Sequence, residues 1–130
     1  MLMLIKKLLQ GKIIYLAIIT TVAIAILSLM KVEKPDVRFS NFDIDKIGHT
    51  IAYFVLGFLW LIALHKKGMK FAVILGVTLY GILMEVLQSV LTDYRTFELM
   101  DMLANTMGVF LALIAFLLIE KKQFKLLNSL

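Results

Sequence analysis

Glu85 lies inside an uninterrupted apolar run, Phe71–Leu91, six residues from its end. At 1.5 Å per helical residue the carboxylate sits about 9 Å below that end. In a bilayer an ionised acid at this depth is costly unless it is paired, so it marks a functional site by default. Its chemistry is limited to pairing with a cation, exchanging a proton, or recognising a polar group. Other residues able to take part recur at helical steps: Asp45, His49 and Tyr53 around the start of one run, Gln88 and Thr92 after Glu85, and Asp101 and Asn105 around the start of another. Lys46 and Arg95 are the cations beside them.

These residues are positioned by four apolar stretches: Ile13–Met30, Ile47–Leu64, Phe71–Leu91 and Met102–Ile119. Each has the roughly 17–25 residues that a helix needs to cross a hydrocarbon core of about 30 Å. The runs are continuous rather than alternating, which excludes a membrane β-barrel. The chain is 62% hydrophobic and 18% charged, with a mean hydropathy of +0.95. That composition excludes disorder, and no polar segment is long enough to cover a soluble core this apolar. At 130 residues the chain is too short for a multidomain enzyme. The expectation is one domain over residues 1–130, an all-α integral membrane four-helix bundle. The first run follows Lys6, Lys7 and Lys12 as a signal peptide would. It is longer than a typical h-region, and its Ala23–Ala25 motif lies within the run, so it reads as an uncleaved first helix.

Cysteine is absent, so there is neither a disulfide framework nor a thiolate metal site. The net charge of +5 carries no nucleic-acid signal, because membrane topology accounts for it. With four spans, nine Lys and Arg residues fall on the side of the two termini and the Lys66–Lys70 turn, and five fall on the other side. The positive-inside rule then expects both termini in the cytoplasm of a multi-pass protein of the cell's inner or cytoplasmic membrane.

Every run carries a stripe of small and polar residues at steps of three and four. The stripes are Ala17–Thr21–Ala25–Ser28, Asp45–His49–Tyr53–Gly57, Thr78–Gly81–Glu85–Gln88–Thr92 and Asp101–Asn105–Gly108–Ala112–Ala115. Such faces hold membrane helices together, and four facing one axis give a bundle. In the last three helices the small residues lie toward the cytoplasmic end. Asp45, His49, Glu85, Gln88, Arg95, Asp101 and Asn105 gather in the outer half. Each has an ordinary explanation as well. Asp45 and Asp101 can cap helices and meet the positive dipole end. Gln88 and Asn105 can bond between helices, His49 can pair with Asp45, Arg95 can be a surface cation, and Glu85 can form a structural ion pair with His49 or Arg95.

Three segments carry a resemblance: Asp-Lys-Ile-Gly-His-Thr-Ile-Ala-Tyr at 45–53, Gly-Ile-Leu-Met-Glu-Val-Leu-Gln at 81–88, and Arg95 followed by Asp101, Asn105 and Gly108. In this order, on three consecutive spans, they resemble the VanZ-like family of small bacterial integral membrane proteins. The resemblance implies a cell-envelope role, because the family's eponym is an accessory to glycopeptide resistance and gives low-level protection against teicoplanin.

The leading functional expectation is a binding site for an anionic, lipid-linked envelope molecule or an inserted lipoglycopeptide. It would be formed by Asp45, Lys46, His49, Tyr53, Glu85, Gln88, Arg95, Asp101 and Asn105, with membrane lipids as the surroundings. Two helix N-termini beside Lys46 and Arg95 favour phosphate or carboxylate. The alternative is a membrane enzyme acting on such a lipid, with Glu85 and His49 as an acid–base pair. No cofactor is called for. Metal binding by His49, Glu85 and Asp101 is disfavoured, because His65 belongs to the other end and three acids beside two cations read as a paired network. An ion path lacks polar groups in the cytoplasmic half. The remaining reading is a structural polar cluster that sets helix register.

Overall fold

The computed structural model describes residues 2–30, 38–39, 42–65, 68–93 and 97–128. It contains four helices: α1 (Leu2–Leu29), α2 (Ile44–Ala63), α3 (Lys70–Leu91) and α4 (Leu99–Asn128). Two-residue strands, β1 (Arg38–Phe39) and β2 (Phe42–Asp43), pair antiparallel just ahead of α2. All four helices include a segment long and apolar enough to cross a membrane. The protein is an all-α, multi-pass membrane four-helix bundle. The outer faces suit lipid: Val22, Ile51, Phe71, Leu79, Leu103 and Ile114 are all exposed.

The helices outrun the apolar stretches at the outer termini. The first extends back to Leu2 and the last forward to Asn128. Leucine and lysine in both extensions are good helix formers, so the helix need not stop where the apolar run does. Between α2 and α3 the chain reverses through Gly68, whose φ of 62° is a left-handed conformation that glycine adopts without steric penalty. The His65 ring N–H donates to the Ile62 carbonyl at 2.7 Å and ties off the last turn of α2.

The four small-residue stripes do not share one axis equally. The most extensive interface joins α2 to α4, which run parallel. Gly108 decides this contact: a Cβ there would lie 2.3 Å from the Thr50 carbonyl oxygen and 2.9 Å from the Phe54 nitrogen. The Thr50 hydroxyl, 3.0 Å from the Lys46 carbonyl within its own helix, also reaches the Ala104 carbonyl across the seam at 3.3 Å. Further along, Gly57 lies against Ala112. Small residues let the backbones touch, and that packing replaces the hydrophobic drive which lipid cannot supply.

Helix α1 attaches through its expected stripe. Ala17 is fully buried. The Thr21 hydroxyl accepts from the Trp60 indole N–H at 3.0 Å, and the Thr21 carbonyl accepts from the Tyr80 hydroxyl at 2.6 Å. The Gln88 amide donates to the Ser28 carbonyl at 2.6 Å. The chain alternation therefore brings the C-termini of α1 and α3 and the N-termini of α2 and α4 to one end of the bundle.

Candidate functional site

That end holds the polar residues. Asp45 and Asp101 each lie in the first turn of a helix, inside it rather than at the capping position expected. They still meet the positive end of the helix dipole. Lys46, next to Asp45, turns across the seam to α4. Its Nζ lies 2.5 Å from both Glu98 Oε2 and Asp101 Oδ1. Asp101 is nearly buried and Glu98 is partly exposed, so the same ammonium serves one inner and one outer carboxylate.

One turn deeper, His49 Nδ1 donates to Asn105 Oδ1 at 2.9 Å. Because an amide oxygen only accepts, this bond places a proton on Nδ1. Nε2 then faces Asp101 Oδ2 at 3.6 Å and Asp45 Oδ2 at 3.8 Å. Asn105 is 4% exposed, held where Gly81 of α3 comes close.

Glu85 enters from α3. It is 1% exposed, and its Oε2 has no hydrogen-bond partner. Asp101 and His49 lie within electrostatic reach of its carboxylate, and the Glu98 backbone N–H bonds to it. Tyr53 is buried beside it, its hydroxyl likewise unpartnered, and its ring is tilted against Tyr80 at 6.4 Å between centroids. Two buried polar atoms left without partners are unusual, since each costs about 1–3 kcal/mol. Gln88 and Thr92 close the end of α3: Gln88 reaches α1, and the Thr92 hydroxyl and N–H both bond to the Gln88 carbonyl.

A family model described as VanZ/LLP1 matches residues 5–120. The chain belongs to that family. A relative in the fission yeast Schizosaccharomyces pombe, an uncharacterized protein, is 38% identical over 82 residues. The match covers 61% of this chain and 50% of the relative, so the chain spans about half the length of the curated relative it matches. No solved structure matches.

Of the nine residues singled out in this VanZ/LLP1 chain, the fold brings Asp45, Lys46, His49, Tyr53, Glu85, Asp101 and Asn105 to one cluster. Gln88 faces α1 instead. Arg95 lies outside the described residues. His49 does not bond directly to Glu85; its near partners are Asn105, Asp45 and Asp101. The metal grouping weighed from the sequence was His49, Glu85 and Asp101, whereas the ligand atoms that the fold places within 4.8 Å of one another belong to Asp45, His49 and Asp101. Glu98 was missed. Its signal was its place three residues before Asp101, where a helix start brings both carboxylates to one side.

Proposed function

We propose that this VanZ/LLP1 protein receives the polar head of an anionic, lipid-linked envelope molecule at the end of the bundle where α2, α3 and α4 converge. The reading includes an extracytoplasmic position for that end and both termini in the cytoplasm, as the distribution of Lys and Arg implies. The observation that carries it is the buried pair Tyr53 and Glu85. The Tyr53 hydroxyl, which can donate, and Glu85 Oε2, which can accept, are neighbours, and neither has a hydrogen-bond partner. A hydroxyl-bearing head supplies both bonds. Lys46 provides the anion contact by exchanging its outer partner, the partly exposed Glu98, for a phosphate. Arg95 adds a bidentate contact in this reading.

Catalysis is the second reading, favoured by one feature. His49 is oriented through Nδ1, which leaves Nε2 presented to carboxylates as a general acid–base group requires. Glu85 is then the second proton-exchanging group.

The binding test uses the full chain in lipid nanodiscs, offered a polyprenyl-diphosphate saccharide against phosphatidylglycerol, with retention read by native mass spectrometry. Selective retention that falls at least tenfold in Glu85→Leu is expected. Equal retention of both lipids overturns the reading. Glu85→Gln separates the two chemistries. It keeps the shape and one acceptor, so pure binding survives with less than about tenfold loss, whereas acid–base turnover falls about 10²–10⁴-fold. A reporter fused after Leu130 should be active only in the cytoplasm; activity outside refutes the orientation.

A further inference from the structure

We infer that Asp45, His49 and Asp101 form a divalent-cation site, suited to a metal of mixed nitrogen and oxygen preference such as Zn²⁺ or Mn²⁺. The ligand atoms are Asp45 Oδ2, His49 Nε2 and Asp101 Oδ2. They lie within 4.8 Å of one another, with 3.6 and 3.8 Å from the imidazole nitrogen to the two carboxylates. Tetrahedral bonds of about 2.1 Å put neighbouring ligand atoms about 3.4 Å apart. The two imidazole contacts come within a few tenths of an ångström of that spacing.

The alternative use of the same atoms is a protonated imidazolium between two carboxylates. Such charge-assisted bonds close to about 2.7–2.9 Å. Neither contact does so here. Nδ1 is engaged by Asn105, so Nε2 is the ring nitrogen that faces the two carboxylate oxygens, at distances too long for direct hydrogen bonds.

The surroundings of the three ligands match what metal sites require around them. A ligating histidine ordinarily gives its other ring N–H to a carbonyl or carboxylate, which fixes tautomer and ring orientation. Asn105 fills this role and is itself buried. Ligating carboxylates are held in the same way, and Lys46 holds Asp101 by Oδ1, leaving Oδ2 turned toward His49. The independent observation is Glu85. It comes from a third helix, is 1% exposed, carries an oxygen without a hydrogen-bond partner, and stands within electrostatic reach of Asp101 and His49. Imidazole with carboxylates suits zinc or manganese better than the all-oxygen preference of Mg²⁺ or Ca²⁺.

This inference deepens the headgroup reading, and in one respect rests on it: a bound metal gives an acid-rich site the positive charge that a phosphate head needs. The metal site itself is testable without lipid. The full chain is purified in detergent, stripped with EDTA, dialysed and titrated calorimetrically with Zn²⁺ and Mn²⁺. One ion per chain is expected. His49→Ala and Asp45→Asn should weaken binding at least tenfold, and Asn105→Ala about 10–100-fold, as positioning residues do. Helix content by circular dichroism confirms that each variant is folded. The parent protein alone provides a second readout, since pulsed electron resonance of bound Mn²⁺ should show coupling to one imidazole nitrogen. Binding no tighter in the parent than in folded His49→Ala overturns the proposal, and so does Mn²⁺ without nitrogen coupling. Repeating the nanodisc retention with and without Zn²⁺ separates the two readings. Metal binding with no selective lipid retention keeps the metal site and removes the headgroup. Selective retention by a protein that binds no metal does the reverse.

Discussion

At the end of the bundle where α2 and α4 begin, the buried side chains include Glu85, Gln88, Thr92, Asp101 and Asn105; toward the other end they are Leu61, Val73, Val77 and Phe116. The same helices form both ends. In lipid, a leucine gains little by facing another helix instead of an acyl chain, so the second end is held by shape and by close approach. The first end carries groups that are costly to desolvate and that stay in place only through specific partners. Close backbone approach at Gly108, with Gly57 beyond it, explains how α2 and α4 hold together without calling on the ionisable residues. Their presence at the first end, with Tyr53 and Glu85 left short of partners, points to a task beyond packing.

The seam between α2 and α4 gives the sharpest break. Gly108→Ala should cost at least about 3 kcal/mol, because the new methyl meets backbone atoms that no rotamer change can move. Gly57→Ala on the same seam should cost under about 1 kcal/mol, its nearest obstacle being the Ala112 side chain at 3.3 Å. Reversible unfolding by steric trapping in bicelles measures both, and equal costs would mean that the seam does not depend on the Gly108 contact.

Lys46→Met addresses the polar end itself. It strands the Asp101 carboxylate, and the expected loss is about 2–3 kcal/mol, below the full penalty for a buried pair because the Lys46 side chain keeps 17% exposure. Combining it with Asp101→Leu should cost less than the two changes summed, and additive losses would show that the pair is not coupled.

Gln88→Leu removes one bond between α3 and α1. About 1 kcal/mol is expected, within the range for hydrogen bonds between membrane helices. A loss above about 2 kcal/mol would give α1 a larger part in the polar end than packing assigns it. The smallest effect belongs to the opposite end. Lys70 meets Glu120 at 2.8 Å, with side chains 39% and 49% exposed. Lys70→Gln should change stability by less than about 0.5 kcal/mol, and a salt-sensitive loss larger than that would remove the contrast between the ends.

Much of this was legible in the residues. The four helices follow from apolar run length, and the gathering of Asp45, His49, Glu85, Asp101 and Asn105 follows from polar positions repeating at helical steps on alternating spans. Glu98 was harder to read, because it stands outside the apolar run and its spacing to Asp101 gains meaning only once α4 is seen to start at Leu99. The pairing inside the cluster was also out of reach. His49 has Asp45 one turn away in sequence, yet its hydrogen bond goes to Asn105, fifty-six residues on.

The sequence by itself determined that this chain crosses a membrane, which faces of its helices meet, and at which end its ionisable groups collect. Those properties rest on composition and on a fixed 3.6-residue period, which act locally and leave their mark in the order of residues. Only the tertiary structure decided that α2 and α4 run side by side with their N-termini together, because that depends on two backbones touching at Gly108. The same approach brings the Asp101 oxygen of α4 to 3.6 Å from the His49 nitrogen of α2. Distances of this kind are set by contact between residues far apart in the chain, and no spacing along a single helix encodes them.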